Sequence, residues 1–376
     1  MARLLAAVFA LLLFPAAASA TPEVRAGAAV LDATYHIGPS AGQYSSDKLD
    51  GTYGDFDPHM QQVKNKASYG VQSRNAAKAL VVQGPDGGYV ALVRNDHYIS
   101  QDALWRRTAQ LLEAETGGAI GTHNLIMAVT HNHSSPYYSS LDWGVWTFQD
   151  VFDYRFFEYW ARRQADAVEK ALAHMHDVRV SATASYFDKT QRNSMGPSVA
   201  DDGTPSGFPK NVTDHDLSVI RFDDIDDPSH PKPLATLVNL GQHGESLEGT
   251  DLISGEWVET AERFIDRTTG GTTIFTQNAT GTTEMERDSY HSIHERALFD
   301  HAQYEQMEYG SHLMADEVLR DWRDIGAQRP NPDDTPQEGQ VSYHDRFVPW
   351  MSEFPVQMDD RWFPGPVSHP YPGVSS

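Results

Sequence analysis

The sequence contains no cysteine among its 376 residues. This absence excludes disulfide bonds, thiol nucleophiles and cysteine-ligated zinc, so a metal site would have to use histidine, carboxylate, tyrosine or water. Basic residues are also scarce: 29 Lys and Arg stand against 52 Asp and Glu, for a formal net charge of -23. Such an excess of negative charge disfavours binding to nucleic acid and to anionic membrane surfaces. We therefore expect no nucleic-acid partner.

Long hydrophobic runs are missing after the N-terminus, so we expect no transmembrane segment. The N-terminus itself has a basic residue at Arg3, an apolar stretch over residues 4–14 and the small residues Ala18-Ser19-Ala20. This pattern predicts a secretory signal peptide over residues 1–20 and a secreted, extracellular product. Residues 21–376 would then form the mature chain, as one large domain or two smaller ones, and its Pro-, Asp- and Gly-rich segment 328–340 reads as a linker-like loop.

The order of local patterns favours an α/β fold. Strand-like runs at 79–82 and 89–93 flank a glycine-rich turn, a helical pattern begins at Ser100, and a buried-type strand follows over 124–130. Strand, helix and strand in this order form a βαβ unit, which requires some parallel sheet. We expect a mixed, largely parallel sheet flanked by helices, with the active site at the C-terminal ends of the strands.

Three apolar strands run directly into polar loops. The strand over 124–130 leads into His131-Asn132-His133, the strand over 234–240 leads into His243-Gly244, and the strand over 272–276 leads into residues 277–281. These loops are expected to converge on one pocket only if the strands are neighbours in one sheet. Further helical patterns cover 148–176, 255–268 and 294–322.

The pair His131 and His133 is the most informative motif. In an extended strand, residues two apart point to the same side, so both imidazoles are expected to face one pocket. Histidine is a frequent metal ligand and the usual proton carrier near neutral pH. The pair is compatible with a metal site, with a ligand beside a general base, or with two solvated loop histidines.

Short motifs along the chain, taken together, resemble the N-terminal catalytic domain of the neutral/alkaline non-lysosomal ceramidases. They occur in that family's order and extend over some two hundred residues. The motifs are Val30-Leu31-Asp32-Ala33-Thr34, Gly70-Val71-Gln72-Ser73-Arg74, Asn95-Asp96, the stretch from Asn124 to Pro136, the stretch from Asp214 to Asp224, and His243-Gly244.

The resemblance implies a zinc ion held by His131 and His243. It implies that His133 lies beside the metal-bound water and the substrate amide, with Arg192 as the closest match for a nearby arginine. Where the family has a serine, this chain has Thr283 or Glu284, depending on where one residue is inserted. A threonine hydroxyl could donate a hydrogen bond or attack, whereas a glutamate would change the mechanism.

The family's other zinc ligands, a glutamate and a tyrosine, lie beyond the last residue of this sequence, so we expect a domain that is incomplete at its C-terminus. The carboxylates and the phenol nearest the histidine motifs are possible substitutes, but the resemblance assigns none of them a position. They are Glu245, Glu284, Glu286 and Tyr290.

The expected activity is that of a secreted, zinc-dependent amide hydrolase. It would cleave ceramide, presented at a membrane or micelle surface, into a sphingoid base and a fatty acid. The alternatives are another metallohydrolase acting on a different amide, ester or phosphoester, and an inactive truncated relative. Two further points stay open. Asp96 could cap the helix at Ser100 or orient a histidine, and the aromatic residues between Trp143 and Phe157 could form helix core or an acyl-chain wall.

Overall fold

A computed structural model describes residues 24–38, 68–136, 154–193, 214–247, 250–278, 280, 283–285 and 302–327. The expected signal peptide and the linker-like segment 328–340 lie outside the described residues, as do Trp143, Glu286 and Tyr290.

The described chain contains four helices and twelve strands. The helices are α1 (Asp102–Glu115), α2 (Tyr154–Ala173), α3 (Glu256–Thr269) and α4 (Ala302–Ala327). The strands are β1 (Arg25–Asp32), β2 (Gly70–Val71), β3 (Ala76–Gln83), β4 (Tyr89–Asn95), β5 (Leu125–Val129), β6 (His176–Tyr186), β7 (Gln191–Asn193), β8 (Asp216–Asp224), β9 (Lys232–Leu240), β10 (Leu252–Ile253), β11 (Thr272–Gln277) and β12 (Thr283–Met285).

Eight strands form one sheet in the order β11-β9-β8-β6-β1-β3-β4-β5. The sheet consists of two four-stranded halves, because β1 and β6 pair only through Arg25 with Asp177 and Ala26 with His176. We call β5-β4-β3-β1 the first half and β6-β8-β9-β11 the second half. Two short sheets, β2–β10 and β7–β12, lie outside this arrangement.

The two halves stack face to face between layers of helix. Side chains of both halves, among them Leu80, Phe222 and Ile274, share one apolar cluster. The opposite face of the first half packs on α1 and α2, and that of the second half packs on α3 and α4. Alternation along β3 illustrates the arrangement: Ala79 and Val81 belong to the helix-facing cluster and Leu80 belongs to the cluster between the halves.

Glycine lets a helix approach the first half closely. A Cβ at Gly27 of β1 would lie 2.0 Å from the carbonyl oxygen of Ala171 in α2. Only a residue without a side chain fits there.

The α/β class and the mixed sheet are confirmed, but the parallel share is smaller than expected. Within the large sheet, β4–β5 and β9–β11 are the two parallel pairs, joined through α1 and α3 respectively, and the other five pairings are antiparallel. The predicted βαβ unit through α1 is therefore correct. Antiparallel strands can be joined by a short turn, as β3–β4 and β8–β9 are, whereas a parallel pair needs a crossover connection, which in the described large sheet α1 and α3 provide.

The condition that the three strands must be neighbours for their polar loops to converge does not hold. Strands β9 and β11 are neighbours, but β5 lies at the opposite edge of the sheet. Stacking of the halves nevertheless brings the loops together: the Gln277 side chain donates a 2.7 Å hydrogen bond to the carbonyl oxygen of Thr130. The C-terminal end of β5 thus lies beside the C-terminal ends of β9 and β11.

Helix α3 closes the free edge of β11. Its Glu262 and Asp266, one turn apart, accept hydrogen bonds from the backbone N–H groups of Phe275 (2.8 Å) and Thr273 (2.5 Å). Glu262 also reaches the first half, where its carboxylate lies 2.6 Å from Arg94 Nη2. The backbone N–H groups at the edge of β11 are thereby satisfied, which protects this edge from pairing with another strand. The buried ion pair between Glu262 and Arg94 connects the two halves.

Candidate metal centre and active site

The turn after β5 orients the first two histidines. His131 has a left-handed backbone, with φ 58. Asn132 fixes the turn, because its backbone N–H donates to the carbonyl of His97 (3.1 Å) and its side chain donates to the carbonyl of Ser254 (2.6 Å). His131 and His133 therefore approach one another through a turn. The extended-strand alternation used for the prediction does not apply, since β5 ends at Val129.

The loop after β9 lies directly on that turn. A Cβ at Gly244 would lie 2.3 Å from the carbonyl oxygen of Thr130 and 2.4 Å from that of His131. The glycine after His243 is thus required for contact between the two backbones. The buried Trp257 of α3 donates a 2.6 Å hydrogen bond to the carbonyl of His243 and fixes it from the other side.

These contacts bring three imidazoles together. Ring centroids are 4.5 Å apart for His131 and His243, 4.7 Å for His133 and His243, and 4.8 Å for His131 and His133. The Nε2 atoms of His133 and His243 are 2.8 Å apart. One potential ligand atom from each histidine lies within 4.8 Å of the other two.

All three rings are held in the neutral form. Burial lowers the pKa of His131, and also that of His133, which the other two rings lower further. Burial, together with His131, lowers the pKa of His243 to about 4. The Nδ1–H of His131 donates to the carbonyl of Tyr98 (2.6 Å), so the free lone pair of this ring is on Nε2.

The donor set fits a metal ion. A neutral imidazole coordinates through its lone pair, and metal-bound histidines commonly donate their other N–H to a carbonyl, as His131 does. Three such nitrogens from three positions meet here, so His131, His133 and His243 could hold a metal ion.

Tyr98 is part of the site, although sequence reasoning missed it. Its ring stacks on His131 and contacts His133 edge-on, with both centroids 4.6 Å away. Tyr98 follows Asp96 and His97 in the loop after β4. Because β4 and β5 are parallel neighbours, the loops at their C-terminal ends lie side by side, and the predicted βαβ unit could have indicated this.

Asp96 plays neither of its two predicted roles. Its buried carboxylate accepts hydrogen bonds from the Thr130 hydroxyl (3.1 Å) and the Ala76 N–H (2.6 Å), and it pairs with Arg94 (3.0 Å). Burial raises its pKa, while Arg94 opposes the shift. Asp96 thus stabilises the strand end before His131 and contacts neither a histidine ring nor the helix start.

Two buried glutamates lie close to the loop that carries His243. Glu245 belongs to this loop, and Glu256 binds the backbone of the residues that follow it. The Oε2 atom of Glu245 lies 3.7 Å from Nε2 of His243 and 3.9 Å from Nδ1 of His133. Glu256, at the start of α3, accepts hydrogen bonds from the backbone N–H groups of Ser246 and Leu247. Burial outweighs these bonds and raises the pKa of Glu256 to about 7.

A backbone contact places Thr283 beside His243, and strand pairing relates Arg192 to the strand that carries Thr283. The Thr283 carbonyl accepts the N–H of His243 at 2.5 Å, and Thr283 is buried. Strands β12 and β7 pair antiparallel, with Glu284 opposite Arg192. The side chains of Arg192 and Glu284 lie outside the described part of the chain.

The aromatic segment forms helix core at two of its three described positions, whereas the third, Tyr154, is exposed. Phe156 and Phe157 are buried in the cluster between α2 and the first half. Trp146, Phe148 and Phe152 lie outside the described residues. Among the helices that the structure describes, none combines the length and the apolar character needed to cross a membrane.

Comparison with known proteins identifies the fold. No family model matches the chain, and no curated protein sequence matches it significantly. The chain is similar to the crystal structure of neutral ceramidase from Pseudomonas aeruginosa, with 17% identity, a TM-score of 0.62, and coverage of 81% of this chain and 45% of that one. It is also similar to a ceramidase complexed with C2, with 16% identity, a TM-score of 0.60, and coverage of 81% and 44%. The chain thus shares the fold of part of these ceramidases and spans less than half of their length.

Proposed function

We propose that this chain is a zinc-dependent amide hydrolase that cleaves ceramide, an N-acyl sphingoid base, into a sphingoid base and a fatty acid. The observation that carries this proposal is the convergence of His131, His133 and His243, which come from two loops 110 positions apart. The fold shared with neutral ceramidases supports hydrolase chemistry at this place. In the same proposal, the protein is secreted and meets its substrate at a membrane or micelle surface.

In this proposal, His131 and His243 hold the zinc ion and His133 carries the proton. A bound zinc ion polarises an amide carbonyl and lowers the pKa of water toward neutrality. His133, kept neutral by burial, accepts a proton at a ring nitrogen and passes it to the leaving amine. Tyr98 limits the rotation of both rings that it contacts.

Arg192 and Thr283 complete the proposed site. Arg192 orients the substrate carbonyl or the developing oxyanion, and Thr283 takes the position of the family serine. The position of Thr283 next to the backbone of His243 is compatible with this role. A threonine in place of the serine also favours a second candidate, in which the same centre hydrolyses a different amide or an ester.

The test compares wild type with His133→Gln and His243→Ala. We expect wild type to bind zinc and to release sphingoid base and fatty acid from ceramide in mixed micelles, measured by mass spectrometry. His133→Gln should keep zinc and lose about 10²–10⁴-fold in turnover, the usual contribution of a proton carrier. His243→Ala should lose both zinc binding and turnover.

Three results would count against this proposal. Zinc below about a tenth of an equivalent in purified wild type would contradict a catalytic metal site, which needs one ion per chain. Full turnover by His133→Gln would show that His133 is not the proton carrier. Release of product from another amide or an ester, but not from ceramide, would favour the second candidate.

A further inference from the structure

We propose that Gln242 is a positioning residue, which fixes the strand that carries Arg192 relative to the two histidine loops. This inference rests on the proposed function, in which Arg192 orients the substrate carbonyl. The order of sequence motifs assigns Gln242 no role. Its hydrogen bonds in the folded chain do.

The Gln242 side chain binds the start of β7. Its Oε1 atom accepts a 2.8 Å hydrogen bond from the hydroxyl of Thr190. Thr190 immediately precedes β7, and Arg192 lies two positions further along the chain. Both partners are buried, since Gln242 is fully enclosed and Thr190 is 3% exposed. Because neither group can exchange this bond for one to water without cost, the bond fixes β7 beside the residue that precedes His243.

The backbone of Gln242 is held in turn by the loop of the first histidine. Its N–H donates a long hydrogen bond of 3.4 Å to Oε1 of Gln277, and Nε2 of Gln277 donates to the carbonyl of Thr130 at 2.7 Å. Thr130 precedes His131, and Gln242 precedes His243. One chain of hydrogen bonds therefore joins the residue before each proposed metal ligand to the start of β7.

The partner strand of β7 has its own anchor. The Thr283 carbonyl of β12 accepts the N–H of His243, and β12 pairs with β7 so that Glu284 lies opposite Arg192. Pairing with β12 sets the register of Arg192 along the ribbon. The bond between Gln242 and the residue before β7 adds a second point of attachment, which limits rotation of the ribbon about the first.

Burial of an amide at position 242 is not explained by stability. Within the described part of the chain, Nε2 of Gln242 has no hydrogen-bond partner. A buried donor without a partner is costly, whereas an apolar side chain of the same size would carry no such cost. The bond to Thr190 is thus the contribution that a glutamine makes here and a methionine would not.

The experiment measures kcat for ceramide in mixed micelles, and zinc affinity by chelator competition, in wild type, Gln242→Met and Thr190→Val. Both substitutions remove the hydrogen bond and nearly keep the size of the side chain. We expect kcat to fall by about tenfold or more, because a displacement of about 1 Å can cost about 10²-fold. Zinc affinity should fall by less than about tenfold, the lower limit for loss of a group that orients a ligand. Thr190→Ser keeps the hydroxyl and should restore the wild-type kcat.

Thr108→Val is the matched control. Thr108 of α1 donates a 3.0 Å hydrogen bond to Oε1 of Gln164 in α2, and both residues are fully buried. The substitution removes the same pair of groups between two helices of the first half. It should leave kcat unchanged.

A combination with Arg192→Ala separates positioning from a general structural effect. Residues that act as a unit are non-additive, so Gln242 has nothing left to position once Arg192 is removed. In the Arg192→Ala background, we expect Gln242→Met to lower kcat by less than about twofold. In metal-free protein, hydrogen exchange over residues 187–193 should be faster in Gln242→Met than in wild type, which reports on the strand without turnover.

Three results would overturn the positioning role and leave the proposed function intact. They are a wild-type kcat in Gln242→Met, an equal loss of kcat with and without Arg192→Ala, and unchanged hydrogen exchange over 187–193. A fall of zinc affinity by tenfold or more in Gln242→Met would also overturn it, because Gln242 would then act on the metal centre. A wild-type kcat in Arg192→Ala would overturn both this inference and the role of Arg192. Failure of zinc-loaded wild type to release product would overturn the proposed function itself, and this inference with it.

Discussion

At the scale of single residues, two backbone features create the histidine cluster. His131 adopts a left-handed conformation, which costs a residue with a side chain about 1–3 kcal/mol and persists only where the surroundings enforce it. Gly244 permits the contact that enforces this conformation, since its backbone packs against the carbonyls of Thr130 and His131.

Gly244→Ala should separate the two loops. The added Cβ would overlap the backbone oxygens of Thr130 and His131, so we expect a loss of about 1–3 kcal/mol in the free energy of unfolding, the usual cost of overpacking. Zinc affinity should fall as well. Gly88→Ala, in the exposed β3–β4 turn, is the control. Unchanged zinc affinity in Gly244→Ala would contradict the role of this contact.

Glu256 should make stability depend on pH. Its folded pKa of about 7 lies above the ordinary value of 4.5, so the folded state binds the proton more tightly than the unfolded state. This contribution is fully present below pH 4.5 and is lost as the pH rises toward 7, by up to about 3 kcal/mol.

Glu256→Gln should remove that dependence, because the amide oxygen can accept the same hydrogen bonds and carries no charge. The measurement is urea unfolding of both proteins at several pH values between 4 and 8. We expect the stability of wild type relative to Glu256→Gln to fall across this range. A constant difference would show that Glu256 does not titrate there.

At the scale of secondary structure, α3 has three functions. Its Trp257 holds the His243 carbonyl, its Glu256 holds the following loop, and its Glu262 joins the free edge of β11 to Arg94 in the first half. The apolar periodicity of this helix predicts a buried face. It does not predict that one of its glutamates bridges two sheet halves.

Arg94→Met should destabilise the protein strongly. Arg94 is fully buried and pairs with Glu262 and Asp96, so its loss leaves two buried carboxylates with less positive charge. Breaking such a group costs about 3–5 kcal/mol. Urea unfolding should show this loss, and the double variant Arg94→Met/Asp96→Asn should recover part of it.

The control for this prediction is Arg106→Met. Arg106 forms an exposed pair with Asp102 within α1, which should contribute less than about 0.5 kcal/mol. Equal effects of the two single substitutions would contradict the assignment of a structural role to the buried group.

At the scale of the whole molecule, the candidate metal centre lies at one end of the stacked halves, beside the C-terminal ends of β5 and β9. His131 follows β5 of the first half, and His243 follows β9 of the second. An ion bound by both residues connects the two halves, in addition to the buried charges around Glu262.

Zinc should therefore protect both loops against hydrogen exchange. We expect slower exchange in peptides covering 125–136 and 240–247 when zinc is added, and no change in α1. At a zinc concentration 100 times the dissociation constant, the gain in unfolding free energy is about 2.7 kcal/mol. His131→Ala should abolish the effect. Protection of one loop alone would contradict a shared ion.

The sequence by itself determined the local elements. The β3–β4 hairpin, α1, the parallel strand β5 and the strand β9 before His243 were all predicted, because apolar periodicity and turn residues act over a few positions. The motif order also pointed to the fold that the ceramidase structures share with this chain.

Only the tertiary structure decided how these elements meet. The stacking of the two halves places β5 beside β9 and β11, although β5 is at the far edge of the sheet. It also places the Glu245 carboxylate 3.9 Å from Nδ1 of His133. Local periodicity carries no information on such contacts, because they depend on the packing of side chains from strands more than one hundred residues apart.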